Sequence, residues 1–176
     1  MAKKVISMTL SQKSIQNAIK ELRSYQNSLE YKCRLLAEKL AEKGVEIARV
    51  QVADLDAVFT GELIQSIHSE YVGSVKGGAI FSVVADSSHA VFVEFGTGIV
   101  GQESPYPGKL PDGVTWEYAS GKTIRQLADG RYGWFYPKDG KWYFTEGMPS
   151  RPFMYYTANE LRDLIVETAK EVFTVD

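Results

Sequence analysis

The sequence predicts an α+β protein with a long N-terminal helix or helix pair, an antiparallel sheet with an aromatic hairpin insert, and a C-terminal helix packed on the sheet. Apolar residues recur at helical spacing near both ends of the chain, and β-rich runs joined by glycines lie between them. These elements come in blocks rather than in βαβ alternation, which excludes a doubly wound parallel sheet. A length of 176 residues suits one domain, predicted to span 1–176.

A helix is predicted from about Ser11 to Leu40, because apolar residues there are separated by threes, fours and one seven. A break near 26–28 is compatible with this pattern. Gly44 either ends the helix or allows close packing while the helix continues. The face consists of Ile15, Ile19, Leu22, Leu29, Cys33, Leu36 and Leu40. Cys33, the only cysteine, is predicted to be a small buried hydrophobic residue, and no internal disulfide is possible.

Residues 54–70 are predicted to form a connection and then a strand. Residues 71–86 are predicted to form a hairpin that turns at Lys76-Gly77-Gly78, where glycines allow positive φ. The segment 86–96 is ambiguous: its valines and phenylalanines favour a strand, whereas its Asp-Ser-Ser start and its glycine stop favour a short capped helix. Of the two we favour the helix.

Residues 99–150 form a turn-rich aromatic insert that contains all three tryptophans, five of the six prolines and eight of the fifteen glycines. Its clearest element is a hairpin over 133–147, with Asp139-Gly140 at the turn. A final helix is predicted over 151–173, and Pro152 suits its first turn. The predicted apolar stripe of this helix consists of Leu161, Leu164, Ile165, Thr168 and Val172.

The charge pattern gives no sign of a nucleic-acid-binding protein, since the net charge is −2. The charge is unevenly distributed, with 10 basic against 5 acidic residues in 1–49 and an acidic excess in the remainder. Two oppositely charged ends suit attraction between copies, although a solvated basic helix beside an acidic sheet is the simpler interpretation. No signal peptide and no membrane-spanning run is predicted, so we expect synthesis in the cytoplasm.

No recognisable catalytic or metal motif is present. His68 and His89 lack metal-ligand spacing, and Glu94 has no nucleophile or acid at a recognisable distance in sequence. We therefore predict no catalytic residue, no cofactor and no metal. The run GWFYPKDGKWYF resembles the choline-binding repeats of bacterial surface proteins, but those modules bind between successive repeats and only one copy is present. A cross-strand aromatic pair is the favoured interpretation.

Three further stretches, FTGELIQSI, HAVFVEFGTG and TEGMPSRPFMYYTANEL, occur in this order after the long helix. Together they resemble the small neck or tail-completion proteins of long-tailed double-stranded DNA phages, typified by the tenth gene product of a lambdoid siphophage. The resemblance covers most of the chain, and the middle motif is the most specific. The insert at 99–150 departs from the family pattern, because shorter members pass more directly from the glycines to the proline-phenylalanine element.

The resemblance implies a non-enzymatic structural protein of the virion tail or neck, made in the host cytoplasm. Copies would form a ring at the head–tail junction around the DNA channel, without sequence-specific DNA binding, and the free protein would be a monomer or weakly associated. Its partners would be the connector or head-completion protein and the tail tube or tail terminator. A choline-binding module and a small hydrolase using Glu94, His68 or His89 are the alternatives.

The resemblance implies that the stretch from Glu94 to Gly98 is a structural corner rather than an active site. Phe95 would fill the core, Gly96 and Gly98 would allow the backbone to turn, and Thr97 lies between them. Glu94 would bond to amides of the glycine corner or to a neighbouring subunit. Because exposed aromatic residues suit an interface, the candidate interface residues are Trp116, Trp134, Tyr136, Trp142, Arg151 and Phe153.

Overall fold

The computed structural model describes residues 5–57, 61–110, 112–118 and 124–174 and confirms the α+β class. The helices are α1 Gln12–Asp54, α2 Glu62–Ser66, α3 Ala90–Phe95, α4 Gly98–Glu103 and α5 Phe153–Thr174. The strands are β1 Ile67–Val75, β2 Gly78–Ala85, β3 Arg125–Gln126, β4 Tyr132–Lys138, β5 Lys141–Thr145 and β6 Gly147–Met148. None of the helices within these described ranges is long and apolar enough to cross a membrane.

The chain divides into two compact units. The first is built from 1–45, 68–84 and 160–176, and the second from 46–67 and 85–159, in each case as far as the residues are described. The helices α1 and α5 each contribute residues to both units.

In the first unit, α1 packs with the β1–β2 hairpin and the later part of α5. The predicted break near 26–28 does not occur, and the helix continues past Gly44. A Cβ added at Gly44 would lie 2.8 Å from Val83 Cγ2 and 3.0 Å from Leu161 Cδ1, so glycine here permits close packing rather than ending the helix. The hairpin turns at Gly77, whose φ is 83°, as predicted.

The predicted helix faces of the first unit are only partly buried. Thr168 and Val172 are buried in α5, whereas Ile165 is 44% exposed and lies outside the packed face. Cys33 is half-buried rather than buried, because it borders the covered part of α1 beside Gly78. The ion pair between Lys43 Nζ and Glu171 Oε1, 3.3 Å apart, joins α1 to α5.

The second unit contains a core around Val52 and Ile67, both fully buried. Arg49 donates a hydrogen bond from Nη2 to the Ile67 carbonyl at 2.8 Å, which holds the start of β1 against α1. The favoured helix over 86–96 is confirmed as α3. Phe59 and Thr60 of the first quoted motif lie outside the described residues, but Leu63 and Ile67 of the same motif are buried.

The insert hairpin is confirmed as β4 and β5, which pair antiparallel with Trp134 opposite Thr145 and Lys138 opposite Lys141. Both turn residues have positive φ, 52° at Asp139 and 72° at Gly140, as a tight two-residue turn requires. The strands β3–β4–β5 form a sheet separate from β1–β2. The insert therefore supplies its own antiparallel partners and adds no strand to the β1–β2 hairpin.

Candidate functional site

The carboxylate of Glu94 lies at the N-terminus of α5 in the second unit. Its Oε2 accepts a hydrogen bond from the Met154 backbone amide at 2.9 Å, and its Oε1 accepts one from the Tyr155 amide at 3.0 Å. The first amides of a helix have no partner within the helix, and the helix dipole favours a negative charge beside them. Glu94 therefore caps α5 from a distant part of the chain, instead of bonding to the glycine corner as predicted.

Burial raises the pKa of Glu94 above its ordinary value of 4.5, while the hydrogen bonds from Met154 and Tyr155 oppose that rise. The side chain is 7% exposed, and both carboxylate oxygens already accept hydrogen bonds. A raised pKa is common to catalytic acids and to buried structural acids. Here both carboxylate oxygens accept hydrogen bonds from amides at the start of α5, which favours the structural role.

The glycine corner is held by close backbone contact with the segment that precedes α5. Gly96 has a φ of 78°, and an added Cβ would lie 2.6 Å from the Ser150 amide nitrogen. Gly98 has a φ of 68° and forms an isolated antiparallel bridge with Gly147. A side chain at either corner glycine would meet backbone atoms. The prediction that Gly96 and Gly98 allow the chain to turn is confirmed by their positive φ angles.

Further hydrogen bonds hold the corner in place. Ser150 donates from Oγ to the Glu94 carbonyl at 2.6 Å, and the Arg151 amide donates to the Val93 carbonyl at 2.8 Å. Trp116 donates from Nε1 to the Gly96 carbonyl at 3.0 Å. The motif that contains Glu94 and the motif that precedes α5 thus form one interlocked element.

Aromatic rings pack against the outer side of this element. The Phe95 ring lies 5.1 Å from the Trp116 ring and 4.7 Å from the Tyr106 ring, measured between centroids. Phe95 is half-buried among these rings rather than in the core, which corrects the expected role of Phe95. Trp116 is likewise half-buried, and it donates a hydrogen bond to the corner. These contacts indicate that Trp116 stabilises the fold rather than forming part of an interface surface.

A cavity of about 650 Å³ opens beside the corner, entirely within the second unit. Such a volume suits a small ligand or a few residues of a peptide. Trp134, Tyr136 and Arg151, three of the predicted interface residues, line this cavity together with Thr97 of the corner. Its wall combines apolar residues with polar and charged ones. The apolar residues are Val93, Leu63, Ile64, Pro137 and Met148, and the polar and charged residues include Asp56, Glu62, His89, Lys138 and Arg151.

The other predicted interface residues are placed differently. Trp142 is 69% exposed on β5 and does not line the cavity. Phe153 is 1% exposed, so its predicted contribution to an interface surface is corrected: the first residue of α5 is enclosed by the chain itself. His89 contacts Ser88 Oγ through Nδ1 at 2.6 Å, whereas His68 belongs to the first unit.

Gly147 and Ser150 are site residues that the sequence reasoning did not single out. A signal for them was present, because both lie in the Glu-Gly-Met-Pro-Ser run before the proline-phenylalanine element. In the described parts of the chain, no group of three or more histidine, cysteine, aspartate or glutamate side chains is placed to hold a metal ion. Comparisons of the chain with protein-family models, curated proteins and solved structures find no match.

Proposed function

We propose that this protein is a non-enzymatic subunit of a phage neck or tail-completion assembly. Copies of it form a ring at the head–tail junction and join the connector or head-completion protein to the tail tube or tail terminator, while DNA passes through the ring. The protein would function in the virion after synthesis in the host cytoplasm.

One observation carries this proposal. Two of the three motifs behind the resemblance meet in space, because Glu94 caps α5 and Gly98 bridges Gly147. If the members of a family share one structural element, the motifs that form it should be in contact in the fold even when they are distant in sequence. The capping geometry also gives the glutamate of this motif a structural role, which supports the proposal.

The cavity beside the corner supplies the joining surface in this proposal. Trp134 and Tyr136 provide aromatic contact area, and Arg151 provides a cation with donors in a fixed geometry. Residues of these three types are enriched where interfaces carry most of their binding free energy. We propose that a segment of the neighbouring neck or tail protein enters this cavity, with Trp142 adding contact area outside it.

The test is a deletion of the gene in the genome that encodes the chain, followed by electron microscopy of the lysate. The proposal expects complete but separate heads and tails after deletion, and joined particles after complementation with the natural sequence. It also expects the neighbouring genes to encode portal, capsid and tail-tube proteins. Joined particles at normal yield without the gene would overturn the proposed function.

The joining surface is tested by complementation with Trp134→Ala and Arg151→Ala, each checked for folding by circular dichroism. Both are expected to reduce the yield of joined particles. Tyr132→Ala is the matched control, because Tyr132 is an exposed aromatic residue on the same strand outside the cavity. Equal yields for all three variants would show that the cavity is not the joining surface.

A further inference from the structure

Arg151 places an unpaired cation in the wall of the cavity beside the corner. Its backbone amide donates to the Val93 carbonyl at 2.8 Å, which holds the residue in place just before α5. Its guanidinium forms no hydrogen bond, ion pair or cation–π contact with any residue that the structure describes. The residue is half-buried. The wall therefore holds a positive charge that the described part of the chain does not neutralise.

A partly buried guanidinium without an acceptor is unfavourable, because it has lost hydration and gained no hydrogen bond in return. Asp56 and Glu62 line the same cavity, but neither forms an ion pair with Arg151. The hydroxyl of Thr97 is a second unsatisfied group of the wall, since its buried Oγ1 has no hydrogen-bond partner among the described residues. Both groups can donate hydrogen bonds. The cavity thus lacks an acceptor.

The rest of the wall indicates what kind of acceptor fits. Val93, Trp134 and Met148 offer apolar contact area in the same cavity. Asp56 and Glu62 add negative charge, which disfavours a polyanion such as DNA. A guanidinium matches the two oxygens of a carboxylate with two parallel N–H donors. A single carboxylate next to an apolar side chain is therefore the ligand chemistry that this wall complements.

We propose that the segment of the neighbouring neck or tail protein that enters this cavity carries an aspartate or glutamate, whose carboxylate pairs with the Arg151 guanidinium. An apolar residue beside that acid contacts Trp134 and Met148. The cavity volume of about 650 Å³ accommodates a segment of a few residues. This inference rests on the proposed function, because it gives the chemistry of the segment that joins there.

The first test is complementation of the gene deletion with variants at Arg151. Arg151→Glu places like charges opposite one another, so we expect the yield of joined particles to fall by about tenfold or more. Arg151→Lys keeps the charge but loses the paired donors, so an intermediate yield is expected. Arg125→Glu is the matched control, because Arg125 is an exposed arginine on β3 outside the cavity. Circular dichroism and urea denaturation verify that each variant is folded.

The deletion and the variants distinguish the two proposals. Normal joining without the gene would overturn the proposed function, and the inference about Arg151 with it. Separate heads and tails after deletion, together with normal joining by Arg151→Glu, would leave the proposed function intact and overturn the pairing at Arg151.

The second test identifies the partner residue by suppression. Phage carrying Arg151→Glu are passaged, and isolates that recover joining without reverting at codon 151 are sequenced. We expect a change from aspartate or glutamate to lysine or arginine in a neighbouring neck or tail gene, because this exchange restores opposite charges. The same change combined with the natural Arg151 should impair joining. Suppressors confined to the gene of this chain would instead indicate a second copy as the occupant, and suppressors that alter no charge would rule out the carboxylate.

Discussion

Glu94 accepts a hydrogen bond from the Met154 amide that lies 60 residues further along the chain. Together with the hydrogen bond from the Tyr155 amide, this contact holds the start of α5 against Glu94 in α3. The buried acid in an apolar run is thus explained by two helix amides that need an acceptor.

Replacing this acceptor should destabilise the protein. Glu94→Gln turns one carboxylate oxygen into an amide nitrogen, which cannot accept the hydrogen bond from a backbone amide. We expect a loss of about 1 to 3 kcal/mol in the free energy of unfolding, as for other lost caps and buried donors. Urea denaturation measures the loss, and Glu103→Gln, on an exposed position of α4, is the control expected to change little. An unchanged midpoint for Glu94→Gln would contradict the capping role.

The pH dependence of stability provides a separate test of Glu94. Because burial raises its pKa in the folded protein, the folded state binds the proton more tightly than the unfolded state does. The stability of the natural sequence relative to Glu94→Gln should therefore fall as the pH rises from 4.5 through the raised pKa, and stay constant above it. Denaturation of both proteins across this range measures the difference. A difference that grows with pH would mean that the two amide hydrogen bonds outweigh burial.

Gly96 should tolerate no side chain. Gly96→Val must adopt a φ of 78° and also place a Cβ 2.6 Å from the Ser150 amide nitrogen. We expect a loss of about 2 to 5 kcal/mol, from backbone strain and overpacking combined. Gly113→Val separates the two effects, because its φ of 83° is similar but nothing lies within 4 Å of its added Cβ. If thermal unfolding shows equal losses for both variants, the close contact at Ser150 contributes nothing.

Gly44 offers a test of packing in the first unit. Gly44→Ala would gain up to about 1 kcal/mol of helix propensity, but its Cβ would lie 2.8 Å from Val83 Cγ2. We expect net destabilisation, because a β-branched side chain in a strand has little freedom to move. Removing the obstacle in the double variant Gly44→Ala/Val83→Ala should recover part of the loss relative to the sum of the single variants. Simple additivity in urea denaturation would show that the two sites do not interact.

Local chemistry made much of the fold predictable from sequence. The turns at Gly77 and at Asp139-Gly140 have residues suited to positive φ, and the glycine after Phe95 ends α3. Sequence alone left open whether α1 ends at Gly44 or continues past it. The helix continues to Asp54, and the choice depends on the packing of Val83 and Leu161 near Gly44.

Long-range relationships were not predictable in the same way. No periodicity indicates that Glu94 meets amides at Met154 and Tyr155, or that Phe153 is enclosed while Trp142 is exposed. The convergence of Trp134 with Arg151 at one cavity likewise depends on how the insert folds back on the corner. Residue type predicted which residues could belong to an interface. Only the tertiary contacts show which of these residues are enclosed and which are exposed.

The bridge between Gly98 and Gly147 has a consequence for how this chain could change in length. The chain between these two glycines leaves the corner at Gly98 and returns to it at Gly147, and within this excursion Trp116 and Tyr118 also form hydrogen bonds with the corner. Because the ends are already joined, lengthening such an excursion adds closure entropy only slowly. Residues could be gained or lost at its solvent-exposed turn, around Asp139-Gly140, without displacing Glu94 from the helix that it caps. The β4–β5 hairpin is thus the part of the second unit in which residues can be inserted, deleted or replaced most easily. New binding preferences could be acquired there while the corner stays unchanged.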